Sequence, residues 1–391
     1  MLSILISLKN MLIGLIVSVG LWLVPISTQI LQEPVSSTTT ASKTTVVSTS
    51  THAQVIPAKT ASTSKQSPPP KTTAVIPTQK PIETSVVVVP PLIPNQPVTD
   101  TSPTPSWDEI NESARKATVN ILCTSASGGL LSPLSASGVI IDPQGVILTN
   151  AHVAQYFLIK DYPIKGFLEC VIRQDSPAKP LYHADLLYIS PTWVTEHYEE
   201  MLEQTPTGTG ERDFALLIIR DGVGPTIQLP QNFPYLPISL IDSPTIVGHP
   251  VILSAYPAGF LGGILIQTNL YLSSAPATIQ DVFTFGDTTV DLVSLGGSVV
   301  AQHGSSGGPV VTSDGKVLGI VVTSSEAQST GGRNLDAITL SYINRSFTEE
   351  IKIDLPTFLK NNLKNTAAAF STDVAPALTK LYTELFQKSG R

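Results

Sequence analysis

Short apolar segments recur at regular intervals from residue 107 to residue 344, and they constrain the fold more than any other feature. Gly, Pro, Asp and Ser separate them. A first series includes ATVNILCTS, SASGVIID, GVILTNAHV, GFLECVIR, HADLLYIS and DFALLIIR. A second consists of HPVILSAYP, GGILIQTNLYLSS, TTVDLVSLGG, GGPVVTSDGKVLGIVVTSS and NLDAITLSYI. Evenly spaced short strands are typical of barrels and sandwiches. We therefore predict an all-β fold of two packed, closed, six-stranded antiparallel barrels, over residues 106–225 and 226–345.

The first 31 residues have a different character. Between Met11 and Pro25 the chain is uncharged and mostly apolar, and Lys9 is the single charged side chain before Glu33. The run approaches the ~20 residues that span a bilayer, and no Ala-x-Ala-like cleavage site follows it. We predict a transmembrane signal anchor over 1–31 with Lys9 on the cytoplasmic side. The rest of a single-pass cell-membrane protein would then be extracytoplasmic; a cleaved signal peptide and a secreted chain remain the alternative.

The segments that flank the predicted barrels differ from them in composition. Residues 32–105 consist mainly of Thr, Ser, Pro, Val and Ala, which cannot bury enough apolar surface to offset chain entropy, so this stretch is predicted to be a disordered linker. Residues 346–391 carry apolar residues at helical spacing, and Pro356 and Pro376 predict breaks between helices. They predict a short helical tail, which we expect to pack on the second barrel.

The charge of the chain and the spacing of its histidines argue against two kinds of partner, nucleic acids and metal ions. The net charge is −7, with 23 Lys+Arg against 30 Asp+Glu and no basic run, so nucleic acid is not an expected partner. No His-Glu-x-x-His pattern occurs, and no metal site is predicted.

Three separate motifs share one chemical explanation. TNAHV places His152 at the end of an apolar strand, DFALL places Asp213 at the head of another, and GSSGGP contains Ser305 and Ser306. A serine hydroxyl needs an adjacent base to attack, and histidine titrates near neutral pH. That histidine in turn needs a carboxylate to hold its tautomer. Glycines beside the serine permit the tight backbone that aims N–H groups at a developing oxyanion.

In this order, the three motifs resemble the chymotrypsin-like serine peptidases, and most closely the bacterial HtrA/DegP-type peptidase domain. The resemblance covers about residues 107–344. It implies that Ser306 is the nucleophile, His152 the general base and later acid, and Asp213 the orienting carboxylate. The N–H groups of Gly304 and Ser306 would form the oxyanion hole, and Ser305 would fill a variable position. The resemblance implies no metal or organic cofactor.

Asp185 competes with Asp213 for the role of the carboxylate, because ADLLYI also reads Asp-x-Leu. In the family the aspartate opens the last strand of the first barrel, which favours Asp213. That assignment implies an insertion over 191–211, just ahead of Asp213. The insertion either overhangs the substrate or is a solvated excursion.

The resemblance also indicates where a substrate side chain would lie. Val300, six residues before Ser306, would form the floor of the primary pocket, and Val322, Thr323 and Ser324 would form the substrate-pairing segment. Because none of these carries a carboxylate, we predict a small or medium apolar residue before the scissile bond.

The chain has two cysteines, Cys123 and Cys170. In the chymotrypsin-like fold the strands that carry them are neighbours in the first barrel, and both side chains would face inward. A disulfide suits an oxidising exterior, whereas two buried free thiols would act as small apolar residues. Both alternatives stay open.

Together these observations predict a membrane-anchored extracytoplasmic serine endopeptidase that acts on protein or peptide substrates. No segment after the second barrel has the length or pattern of a PDZ domain, which departs from the HtrA pattern. A catalytically silent barrel that binds peptides or cell-wall components is the alternative. The sequence does not indicate an oligomeric state.

Overall fold

The structure of the protein is a computed structural model that describes residues 104–125, 131, 133–203, 208–259, 261–286, 288–324 and 334–390. The predicted anchor and all but the last two residues of the predicted linker lie outside this range. In the described part of the chain, no helix is both long and apolar enough to cross a bilayer.

Six strands close into the first barrel, as the sequence predicts. They pair in the order β1-β2-β3-β6-β5-β4, with β4 returning to β1. Their bounds are β1 Thr118–Ser125, β2 Leu134–Asp142, β3 Val146–Thr149, β4 Leu168–Gln174, β5 Lys179–Ile189 and β6 Ala215–Gly222. Alternate residues of a strand face the same side, and Val119, Ile121 and Cys123 of β1 all lie in the barrel core.

The second sheet corrects the prediction of a closed six-stranded barrel. It is an open half-barrel of seven strands in the order β8-β7-β11-β12-β13-β10-β9. Their bounds are β7 Pro250–Ala255, β8 Ser273–Thr278, β9 Asp281–Phe283, β10 Leu292–Ser294, β11 Pro309–Val311, β12 Val317–Ser324 and β13 Leu335–Thr339.

The two ends of the second sheet are formed by consecutive parts of the chain. The two edge strands, β8 and β9, are separated in sequence only by Ile279 and Gln280. Their backbones bond outside the ladder: Ile279 exchanges bonds with residues 248 and 249, and Gln280 N donates to Ser294 O at 2.8 Å. The chain therefore pairs with β7 before these two residues and with β10 after them.

Helices connect and flank the two sheets. They are α1 Trp107–Ala117, α2 Ala151–Ala154, α3 Pro191–His197, α4 Gly263–Thr268, α5 Leu340–Ile351, α6 Leu355–Phe358, α7 Leu363–Ala369 and α8 Ala375–Lys388. Short 3₁₀ turns cover Gln155–Ile159, Tyr198–Leu202 and Pro244–Ile246, and a π turn, Phe370–Val374, joins α7 to α8.

Helix α1 was not predicted, although its start has a readable signal. Ser106 caps the helix, its side chain accepting from Glu109 N, while Glu109 accepts from Ser106 N. This reciprocal pair is a capping box, and it satisfies two backbone donors at the helix start. Ile110 and Ala114 of α1 are buried in the cluster that also contains residues of both sheets.

The end of the C-terminal tail packs on the first barrel, which corrects the expectation that it covers the second, whereas Phe347 and Phe358 at its start lie in the apolar cluster that both sheets share. Phe370, Leu378, Tyr382 and Phe386 belong to the same apolar cluster as the barrel interior. An apolar helical stripe shows that a helix is buried, but it does not identify the surface that buries it.

The insertion before Asp213 is also packed against the first barrel over its described part. Trp193 and Val194 of α3 are buried in the barrel cluster. This part is therefore not a solvated excursion, and whether the insertion overhangs substrate stays a prediction.

The two cysteines, whose state the sequence leaves open, form a disulfide. Cys123 of β1 and Cys170 of β4 face each other in the ladder, with a Cα–Cα distance of 4.0 Å. The bond therefore joins the two strands at which the first barrel closes.

Candidate active site

The loop before β11 distinguishes its two adjacent serines. Ser305 is 1% exposed, and its hydroxyl donates to the carbonyl oxygen of Val300. Ser306 is half-buried, and among the described residues its hydroxyl has no hydrogen-bond partner. Ser305 therefore has an internal structural contact, and Ser306 is the serine that is free to meet a ligand.

Glycine is required at the turn that precedes Ser306. Gly304 has a φ of +94°, and a Cβ there would lie 2.6 Å from the carbonyl oxygen of Tyr256. Both the backbone angle and the close approach exclude a side chain.

Two backbone N–H groups of this loop are available to bind an anionic oxygen. The carbonyl oxygen of His303 accepts from Ala258 N at 2.7 Å. In a trans peptide the C=O and the following N–H point in opposite directions, so the N–H of Gly304 points away from Ala258. Within the described residues, the N–H groups of Gly304 and Ser306 have no acceptor. Two unpaired donors in one tight turn are what an oxyanion hole requires.

His152 and Asp213 are joined by two hydrogen bonds. The Nδ1 atom of His152 lies 2.7 Å from Asp213 Oδ2, and the backbone N of His152 donates to Asp213 Oδ1 at 2.9 Å. The side chain of Asn150 donates to Asp213 O at 2.9 Å and fixes the backbone of that residue. Asp213 is 8% exposed. Both carboxylate oxygens therefore bind one histidine, and its Nε2 atom has no hydrogen-bond partner among the described residues.

The alternative carboxylate lies elsewhere. Asp185 on β5 accepts from Arg220 at 2.7 Å, on the exposed side of the barrel. Of the two candidates, only Asp213 contacts His152.

The charge around His152 favours its protonated form. Burial alone would lower the pKa of the imidazole, but the charge of Asp213 and its hydrogen bond raise that pKa above its ordinary value. The charge of Glu200 contributes in the same direction. Glu200 belongs to the insertion, where it accepts from His197 at 2.7 Å. The sequence reasoning did not identify it, because nothing in the local pattern relates it to His152.

The loop before β11 that carries Ser306 is called the serine loop below. Ser137 on β2 connects this loop to the strand that leads to His152. Its backbone N donates to Ser306 O at 2.8 Å, and its hydroxyl donates to Gly304 O at 2.7 Å. The same hydroxyl accepts from Tyr256 N at 2.9 Å, and its carbonyl oxygen accepts from the Thr149 hydroxyl at 2.8 Å. Ser137 is fully buried. One residue therefore binds the loop, β3 and the segment after β7.

The predicted pocket residues lie on two segments near the loop. Val300 is 1% and Val322 6% exposed. Thr323 and Ser324 lie at the end of β12, where their Cα atoms pair with those of Asp336 and Leu335. β12 reaches the loop through Val321, whose carbonyl oxygen accepts from Gly307 N at 2.8 Å.

Metal ligation is not supported by the described residues. Within that part of the chain, no three or more His, Cys, Asp or Glu side chains are grouped so that they could hold an ion.

Comparison with known proteins assigns the folded region to a family. Residues 136–320 match the family described as "Trypsin-like peptidase domain". This part of the chain is a trypsin-like peptidase domain. The match supports the assignment of this domain as a serine endopeptidase.

Solved structures of proteases are also similar to this chain. The active form of the Rv3671c protease from M. tuberculosis is 19% identical, with a TM-score of 0.38, over 62% of this chain and 83% of that chain. The serine endoprotease from Yersinia pestis is 19% identical, with a TM-score of 0.39, over 63% and 67%. No curated protein matches the chain.

We predict that Ser137→Ala lowers kcat of the peptidase about tenfold, because small displacements of reacting groups are costly. The substitution leaves Gly304 O without its donor and Tyr256 N without an acceptor. Steady-state hydrolysis by the purified full chain measures the effect. Ser254→Ala is the matched control, since Ser254 is 1% exposed and its hydroxyl has no partner among the described residues. Equal kcat for the two variants would contradict the assignment.

Glu200→Gln should move the acid limb of the kcat/KM profile to lower pH. A general base acts in its neutral form, so the raised pKa of His152 places this limb above the ordinary histidine value of 6.5. Removing the charge of Glu200 lowers that pKa, and the active form then persists at lower pH. Glu199→Gln is the control, because Glu199 bonds to Tyr198. A limb that does not move in Glu200→Gln argues against the charge effect.

Proposed function

We propose that this chain hydrolyses peptide bonds through a Ser306, His152 and Asp213 triad and an acyl-enzyme. The single observation that carries the proposal is the pair of hydrogen bonds between His152 and Asp213, 2.7 and 2.9 Å long. An Asp-bound imidazole is held in the tautomer whose Nε2 accepts a proton. The unpaired N–H groups of Gly304 and Ser306 support the matching oxyanion hole.

The proposed reaction has an acylation step and a deacylation step. Ser306 Oγ bonds to the carbonyl carbon of the scissile peptide, while its proton passes to His152 Nε2. The carbonyl oxygen becomes an oxyanion and accepts from Gly304 N and Ser306 N. When the C–N bond breaks, the proton on His152 passes to the leaving amine. Water then attacks the acyl carbon, giving a proton to His152, and that proton returns to Ser306 as the acid leaves. Asp213 stays ionised and stabilises the imidazolium.

We propose in addition that the chain is held at the cell membrane by residues 1–31, with the peptidase domain extracytoplasmic. The disulfide between Cys123 and Cys170 supports an oxidising compartment. Secretion after cleavage is the alternative. Cell fractionation tests the anchor: a membrane-bound chain resists alkaline carbonate extraction, and a cleaved chain appears in the soluble fraction.

Labelling by a fluorophosphonate probe tests the proposed nucleophile. The full chain should react with the probe and cleave peptides, and Ser306→Ala should abolish both, because no other group supplies the attacking oxygen. Ser305→Ala is the matched control and should still be labelled. A well-folded wild-type chain that is not labelled would instead favour a catalytically silent, peptide- or wall-binding barrel.

The preferred substrate residue before the scissile bond should be small or medium and apolar. The support is the buried Val300 in the proposed pocket floor. Cleavage of a peptide library by the full chain, read by mass spectrometry, measures the preference. A profile dominated by Lys or Arg would refute it.

A further inference from the structure

The C-terminal tail contains a contact that the peptidase family match does not include. Helix α8, Ala375–Lys388, lies beyond residues 136–320 and packs on the first barrel. Tyr382 and Phe386 of this helix are fully buried. The turn on which they pack is the 3₁₀ segment Gln155–Ile159, which directly follows the short helix that carries His152.

Two hydrogen bonds in series run from the tail to His152. The hydroxyl of Tyr382 donates to Gln155 Oε1 at 2.9 Å, and Gln155 Nε2 donates to the carbonyl oxygen of His152 at 2.8 Å. Gln155 is 7% exposed. A carbonyl oxygen can only accept, so the amide of Gln155 must present Nε2 to His152 and Oε1 to Tyr382. The carbonyl oxygen of His152 thereby selects the orientation of Gln155, and the hydroxyl of Tyr382 stabilises it by donating to the Oε1 atom that this orientation presents.

The main chain of His152 is consequently held at both ends. Its N–H donates to Asp213 Oδ1, and its C=O accepts from Gln155 Nε2. Helix α2 has only four residues and is too short to be rigid by itself. The direction of the imidazole therefore depends on these two contacts to the main chain, together with the bond between its Nδ1 atom and Asp213 Oδ2.

Tyr382 acts on position and not on charge. Burial raises the pKa of its hydroxyl far above the usual range, so it remains a neutral donor at every working pH. Two charged groups act on the imidazole: Asp213, which lies just before β6, and Glu200, which lies in the insertion. Removing the hydroxyl leaves both carboxylates in place.

We infer that Gln155 and Tyr382 are positioning residues for the general base: the C-terminal helix holds the backbone of His152, through Gln155, in the orientation that serves Ser306. The inference rests on the proposed function, since it deepens the role of His152. A buried tyrosine needs one acceptor, and any backbone carbonyl would suffice. Here the acceptor is an amide whose other end binds the candidate base.

The two hydrogen bonds in series, from Tyr382 to Gln155 and from Gln155 to His152, are called the relay below. Tyr382→Phe tests this relay, because it keeps the ring and removes the hydroxyl. In the full chain, kcat should fall about tenfold with KM changed less than about twofold. The acid limb of kcat/KM should move to lower pH, because a displaced His152 pairs less well with Asp213 and its pKa falls. Gln155→Met should have the same effects, and adding Tyr382→Phe to Gln155→Met should change nothing further.

Thr379→Val is the matched control. Thr379 lies on the same helix and donates to Leu158 O at 2.8 Å, without touching Gln155. It should leave kcat and the pH profile unchanged. Equal losses in Thr379→Val and Tyr382→Phe would mean that helix docking alone matters, and wild-type kinetics in Tyr382→Phe would also overturn the relay. If Tyr382→Phe does not fold, Gln155→Met alone decides.

A readout independent of activity separates this inference from the proposed function. In Ser306→Ala chains labelled with ¹⁵N-histidine, NMR titration follows the His152 imidazole directly. Tyr382→Phe should lower the titration midpoint of His152, and an unchanged midpoint would refute the relay. Failure of the proposed function gives a different pattern: the wild-type chain is not labelled by the probe, whatever the titration shows.

Discussion

The candidate site depends on the junction at Ser137, where the serine loop is bonded to the first barrel. Gly307 shows how tight the junction is: its φ is +83°, and a Cβ would lie 2.2 Å from Ser137 O and 2.5 Å from the Thr149 hydroxyl. Three residues after Thr149 the chain reaches His152. The loop with the serine and the strand that leads to the histidine are thus both bonded to one buried residue. Ser137 therefore sets the position of the two halves of the site relative to each other.

The strands of the first barrel and the candidate site residues could be predicted because their signals are local. Inward apolar residues alternate along β1, and the GSSGGP, TNAHV and DFALL motifs each occupy one short stretch. Helix α1 also had a local signal, the pair of Ser106 and Glu109, which the strand pattern obscured. The change of partner between β8 and β9 had none, since it depends on backbone contacts at Ile279 and Gln280.

Contacts between distant parts of the chain could not be predicted in the same way. Tyr382 and Gln155 are 227 residues apart, and neither stands in a recognisable pattern. The amphipathic tail shows that its helices are buried, but the surface that they cover is decided by shape and by partners such as Leu158. Glu200 was equally hidden, because its effect on His152 arises only when the insertion folds back on the barrel.

These contacts, which the sequence did not reveal, all concern His152. The insertion supplies Glu200 and the tail supplies Tyr382, and both act on His152. Of these two residues, only Tyr382 lies beyond residues 136–320. The tail's position also has a consequence for the order of events in the cell. A ribosome makes Ser306 well before Tyr382, so a nascent chain holds all three triad candidates before the helix that braces the histidine exists, and the turn that carries His152 receives this support only after Tyr382 has been added.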